Sequence, residues 1–240
     1  MKRYSQRHQF QISYTFSKLI DEGTGMGFIS RGSSGDNIWT TMFDDHRFDR
    51  GPSGNNITHT FTSNYTVDLP GDNLQGAIGH ILGGWQVGGI MTGTTGEQMT
   101  ILITFDQAGM DAGGVLVQRP DLVPGVDPFI GDTPRGYLNP DAFAVPQRGF
   151  LGNLGRGTFT GPGRFTFDLS LVKKVRLGEN ENRTLQFRAE FFNLFNNVNF
   201  GRPGTRIFVS PGGRTSGSFG VFRSTVTTSR QIQFALKIAF

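Results

Sequence analysis

The chain has 240 residues, a net charge of +4, 35 glycines, 23 phenylalanines and no cysteine. Without thiols there is neither a disulfide framework nor a thiolate metal site, and with no basic cluster beyond "VKKVR" there is no electrostatic footprint for nucleic acid. Glycine at roughly twice its usual share of about 7% has no three-residue period, which excludes collagen, and 36% hydrophobic content argues against disorder.

The N-terminal "MKRYSQRHQFQIS" carries positive charges but no apolar stretch, so it does not read as a signal peptide. No run of about 18 apolar residues exists, so membrane crossing would need strands. Six segments alternate with the period of two that marks a strand with one apolar face. "QFQISYTFS" sets Phe10, Ile12, Tyr14 and Phe16 against Gln9, Gln11, Ser13 and Thr15. "NITHTFTSNYTVDL" sets Ile57, Phe61, Tyr65, Val67 and Leu69, which share their face with His59 and Ser63, against a row of threonines, Asn64 and Asp68. "ILGGWQVGGIMTG" is a third strand, blurred by its glycines. "RFTFDLSLVKKVRL" predicts Phe165, Phe167, Leu169 and Leu171 facing outward, with Thr166, Asp168 and Ser170 on the opposite, lumenal face. "RTLQFRAEFFNLF" opposes Leu185, Phe187, Ala189 and Phe191 to Gln186, Arg188 and Glu190. The last run, "RQIQFALKIAF", places Ile232, Phe234, Leu236, Ile238 and Phe240 on one face. Two shorter runs, "EQMTILITF" and "FGVFRSTV", lie within connections and read as hairpin extensions rather than membrane strands.

The connections between the six segments run long, short, long, short, long. Outer-membrane barrels keep long loops outside and short turns on the periplasmic side. With Phe240 at the periplasmic rim, every long connection falls outside; a soluble sandwich has no reason to obey this parity. The expected fold is therefore all-β: an antiparallel transmembrane β-barrel segment of about six membrane strands with long extracellular loops, located in the outer membrane. Single-chain bacterial barrels begin at eight strands, and open edges in lipid leave unpaired backbone groups. The chain begins at the foot of an upward strand, so it reads as the C-terminal portion of a larger barrel. The competing reading is a secreted or surface β-sandwich adhesin or binding module, whose apolar faces would meet a second sheet.

The segments "LNPDAFAVPQRGFLGNLGRGTFTGPGRFTFDLSLVKKV", "LQFRAEFFNLFNNVNFGRP" and "RQIQFALKIAF" resemble the C-terminal third of TonB-dependent outer-membrane receptors of the Oar-like type. "YTFSKLIDE" and "GGWQVGGIMTGTTG" look like strands of the same barrel, so the resemblance spans roughly 7–240. It implies a 22-strand barrel around a plug domain, energised through TonB and taking up an unidentified substrate. Residues 1–240 are then the C-terminal part of that barrel, without plug domain, TonB box, regulatory domain or signal peptide. Outer-membrane lipid and the barrel-insertion machinery are the implied partners, with TonB and the plug only in the full-length protein, and no nucleic acid. The resemblance puts "NLFN", Asn193 to Asn196, on the penultimate strand. The alternating Ile232, Phe234, Leu236, Ile238 and Phe240 resemble the outer-membrane assembly signal.

No catalytic constellation accompanies this pattern. His8, His46, His59 and His80 form no close ligand pair. "FDDHRFD" offers Asp44, Asp45, His46 and Asp49, a polar loop cluster without defined ligand geometry. "GTGMG" and "GNLGRG" lack the strand-to-helix setting and the lysine of a phosphate loop, and G-x-S-x-G is missing. The expectation is no enzyme, no cofactor and no metal. Asp168, Arg188 and Glu190 stand on polar faces of neighbouring strands, as lumen-facing candidates for a substrate, a plug or one another.

Overall fold

The computed structural model describes residues 2–4, 7–22, 41, 45–71, 76–110, 118–133, 136–178 and 183–240. Period-2 alternation in threonine- and phenylalanine-rich runs becomes six long strands, preceded by one short strand. They are β1 (Lys2–Tyr4), β2 (His8–Phe16), β3 (His59–Asp68), β4 (Trp85–Thr94), β5 (Arg164–Arg176), β6 (Thr184–Phe192) and β7 (Gln231–Ala239). They pair antiparallel in chain order as one sheet, with β1 and β7 at its edges.

Three readings of the sequence are corrected. Tyr4 pairs with His8 in a strand ahead of the first expected one; three residues are too short to show alternation. Ile81 and Leu82, placed at the head of the third strand, instead end a helix, α1 (Gly76–Leu82), and β4 begins only at Trp85. Gly84, at φ +69°, makes the change of direction between them, a conformation costly for any side chain. Asn193 to Asn196 lie beyond the penultimate strand, because Asn193 and Asn196 turn left-handed at φ 49° and 55°. Asparagine tolerates that region and most residues do not.

Residues paired across antiparallel strands share a face, so the register assigns every side chain. One row runs Tyr14, Phe61, Gly93 and Phe165. Another runs Phe10, Tyr65, Gly89, Leu169, Phe191 and Ile232. A third continues Val87, Leu171, Ala189 and Phe234. Through its middle this face is apolar except for Ser63, in the row of Ile12, Met91 and Phe167. Tyr65 lies flat over Gly89, where a Cβ would sit 2.6 Å from the ring, so glycine there lets an aromatic side chain fill the row.

From Phe165 to Val175 the strand takes ten residue steps. At about 3.3 Å each that is about 33 Å of strand, and about 23 Å of height at the ~45° tilt of barrel strands. This matches the ~25 Å apolar band of an outer-membrane barrel.

No second sheet covers this face among the described residues. Of the buried hydrophobic side chains only Val172 and Ala189 belong to the seven strands. A sandwich would bury its phenylalanines; here Phe10, Phe16, Phe165 and Phe234 remain exposed. The sandwich alternative is thereby overturned.

The dry core lies instead in the long connections, all at one end of the sheet. Met99, Ile101, Ile103, Tyr137, Leu138, Phe143, Leu154 and Phe159 come from the connection between β4 and β5. Ile207, Phe208, Phe219 and Phe222 come from the one between β6 and β7. Edge-to-face rings tie them, Phe143 to Phe159 at 5.8 Å and to Phe219 at 5.6 Å between centroids. Short pairings hold the backbone: Gln98–Met99 with Phe159–Thr160, and single bridges from Leu102 to Arg206 and Gly204 to Phe219. "EQMTILITF" and "FGVFRSTV", expected as hairpin extensions, are thus pieces of a folded cap.

Candidate functional site: the polar face and its cap

The second face of the sheet is built by the alternate residues. Gln11, Asn64 and Ile90 align with Asp168, and Ser13, Thr62, Thr92 and Thr166 form the row nearer the cap. Below them Glu190 faces Ser170 and Gln233, and Arg188 faces Val172 and Ala235. Near the cap this wall is mostly hydroxyl and amide, with Asp168 and, in the row of Thr60 and Thr94, Arg164, whose Nη2 pairs with Glu97 Oε1 at 2.6 Å. Towards the other end it carries Asp68, Lys174, Arg176, Arg188 and Lys237.

The structure places the three candidate residues on this one face. Arg188 Nη1 approaches Glu190 Oε1 at 3.4 Å, a long ion pair two residues apart on β6, half in water and worth little. Asp168 has a structural task. Its Oδ1 accepts from the Asn193 backbone N–H at 2.8 Å, fixing the turn that ends β6. Asn193 Nδ2 then donates to the carbonyls of Asn197 and Thr228, both at 3.0 Å. Beside it, Asn199 pairs with the Phe165 backbone, accepting from N–H at 2.7 Å and donating to C=O at 3.0 Å. The asparagines of "NLFNNVN" therefore clothe the part of β5 that projects above β6. The sequence could have signalled this by their density, since asparagine side chains compete for backbone groups.

The terminal residues Ile232, Phe234, Leu236, Ile238 and Phe240 are exposed, the first four on the apolar face of β7, Phe240 just beyond its end. Phe187 stacks on Phe234 at 6.1 Å. At the cap end, Tyr14 and Phe16 flank His59, whose Nδ1 lies 2.8 Å from the Tyr14 hydroxyl. Aromatic side chains recur along the whole height of the band: Tyr14 and Phe16 at the cap end, Phe10, Tyr65 and Phe191 in the row of Leu169, and Phe187 and Trp85 towards the other end.

A buried polar network, which sequence reasoning missed, ties the connection between β2 and β3 into the cap. Arg119 donates from Nη1 to Asp49 Oδ1 at 2.7 Å, from Nε to Leu154 O at 2.8 Å and from Nη2 to Phe48 O at 3.0 Å. Thr41 Oγ1 donates to the same carboxylate at 2.7 Å. Arg156 bonds both the carboxylate and the carbonyl of Asp21. Burial lowers the Arg119 pKa, and the hydrogen bond and charge of Asp49 oppose that shift.

Of the acidic cluster around His46, the structure describes the side chains of Asp45 and Asp49. Asp49 serves Arg119, and Asp45 accepts from the Arg47 backbone N–H at 3.0 Å. Asp44, the His46 side chain and "GTGMG" lie outside the described residues. No group of three potential metal ligands occurs among the described residues. In "GNLGRG", the Gly157 N–H donates to Thr100 Oγ1 at 2.9 Å and so braces the cap.

A family model described as "Outer membrane beta barrel domain" matches residues 1–233. No curated protein and no solved structure matches the chain.

Proposed function

Because the chain belongs to the outer-membrane β-barrel domain family and resides in the outer membrane, we propose that it is part of the barrel of a TonB-dependent receptor of the Oar-like type. In this reading it takes up an external substrate, and the plug domain and TonB act in the full-length protein. The observation that carries it is the sheet's two faces: an apolar band of membrane height, backed by a hydroxyl- and amide-lined wall beneath a folded cap. A wall of hydroxyls and amides that becomes charged towards its lower end suits a wet passage for a polar solute or the flank of a plug. Six long strands are fewer than the eight with which single-chain barrels begin, so the lumen is completed by further strands. The barrel-insertion machinery reads the β7 terminus, and surrounding lipid covers the apolar face. The chain carries no enzymatic activity of its own.

The test is made in cells expressing the intact gene. Expected are cross-links to TonB and substrate accumulation that stops when TonB is depleted. Equal solute flux with and without TonB would make the protein a passive pore and overturn the proposal.

A further inference from the structure

At the end of the sheet opposite the cap, α1 bridges β3 and β4. Ile78, Ile81 and Leu82 are exposed by 62%, 67% and 53%. They fall at i, i+3 and i+4, one face of the helix. Seven residues do not hold a helix by propensity alone. What fixes this one is its C-terminal end. Trp85 Nε1 donates to Ile81 O at 2.9 Å. Lys173 Nζ donates to Ile81 O at 3.0 Å and to Gly83 O, with its ammonium 5.4 Å from the Trp85 ring centroid. Trp85 and Lys173 are register partners on the apolar face. The groups that hold the helix therefore reach it from the lipid side of the sheet.

A lysine in the row Phe165, Phe167, Leu169 and Leu171 would be costly at mid-membrane. Lys173 lies eight steps below Phe165, about 19 Å of height at ~3.3 Å per residue and ~45° tilt, close to the lower edge of the ~25 Å band. There a lysine extends its stem along apolar surface and its charge to carbonyls, and the C-terminal end of a helix favours a cation.

We propose that α1 is an interfacial membrane anchor, lying along the periplasmic leaflet with Trp85 and Lys173 at the lower edge of the apolar band and Ile78, Ile81 and Leu82 beside them at the boundary of acyl chains and headgroups. The proposal rests on the chain's residence in the outer membrane. Three observations commit the face to lipid. It continues the apolar band; its flanking pair, tryptophan and lysine, is the chemistry of membrane interfaces; and three aliphatic side chains fall far short of the ~800 Å² each partner gives a stable protein interface.

The cysteine-free chain makes every introduced thiol unique. Ile78→Cys, Ile81→Cys and His80→Cys carry a nitroxide in vesicles of phosphatidylethanolamine and phosphatidylglycerol, with Ile12→Cys on the apolar band and Thr62→Cys on the polar face as references. The expected ratio of oxygen to nickel-chelate accessibility is several-fold higher at 78 and 81 than at 80. Water-like values at 78 and 81 with a lipid-like value at 12 would overturn the anchor and leave the barrel standing. A water-like value at 12 as well would overturn the barrel arrangement beneath it. Shielding of 78 and 81 from both agents would mean that protein covers the helix, and would also refute the proposal. A second measurement needs no thiol: in Trp39→Phe protein, brominated lipid should quench Trp85, and unquenched emission would count against the anchor.

Discussion

Arg119 and Asp49 meet at 2.7 Å across 70 residues of chain, each side chain only 2% exposed. They tie the connection between β2 and β3 to the one between β4 and β5. Removing one partner leaves an uncompensated buried charge, which costs about 3–5 kcal/mol. Arg119→Ala and Asp49→Ala should therefore loosen the cap while the strands stay in the membrane. Limited proteolysis of intact cells checks this: cleavage within the cap should rise, while heat-modifiable migration of the barrel is kept. An equally resistant cap in both variants would show the pair to be dispensable.

The two faces of β5 should respond oppositely to the same charge. Leu169 sits near the middle of the apolar band and Ser170 on the wall behind it. Leu169→Arg should lower folding stability in lipid vesicles by about 2–4 kcal/mol, the midplane cost of arginine on a barrel's lipid face. Ser170→Arg should cost much less. Urea titration of the folded fraction distinguishes them, and equal losses would reverse the assignment of the faces.

The β7 terminus predicts an assembly defect in the intact protein. Phe240→Ala removes a ring whose burial in the interface is worth about 2–3 kcal/mol. Deletion of 230–240 removes the whole strand that pairs with β6 and should be far worse. The folded, protease-resistant fraction in outer-membrane preparations should fall from wild type to Phe240→Ala to the deletion. The same yield from all three would make the terminus an ordinary tail.

Asn193 combines a left-handed backbone with three side-chain bonds, to Asn197 N–H and to the carbonyls of Asn197 and Thr228. Asn193→Ala loses both, at a cost of about 1–3 kcal/mol for the buried groups left unmet. Asn193→Gly keeps the backbone free and should recover part of it. Hydrogen exchange at 193–199 reports the order expected: wild type slowest, glycine next, alanine fastest. An alanine variant as slow as wild type would remove the turn from this account.

Much of the sheet was legible because alternation reports directly on a strand with two different environments. Phe165, Phe167, Leu169 and Leu171 needed only their spacing, and connection lengths supplied the topology. The cap was illegible for the converse reason. Met99, Ile103, Leu138, Phe159, Ile207 and Phe222 pack from irregular backbone, so their apolar character carries no period. The Arg119–Asp49 pair joins distant loops that no local pattern connects. α1 was missed because Ile81 and Leu82 continue into the alternation of β4, and seven residues give a helix barely two turns in which to show itself. Of the polar candidates, spacing could place Asp168, Arg188 and Glu190 on one face; it could not show that Asp168 is bound to the Asn193 turn.

The cap joins segments that enter it from either side of the β5–β6 hairpin, so that Leu102 bridges Arg206 and Ile207 N–H donates to Leu102 O at 2.9 Å. Both segments must cross the bilayer unfolded before they can meet. Once they meet, water on the far side drives burial that had no counterpart during passage. Folding of the cap should thus act as a pawl on translocation, since drawing the hairpin back would first expose that core. Ile101→Asp and Ile207→Asp should leave threading possible but reversible, seen as slower arrival of the loops at surface protease rather than loss of the barrel already formed.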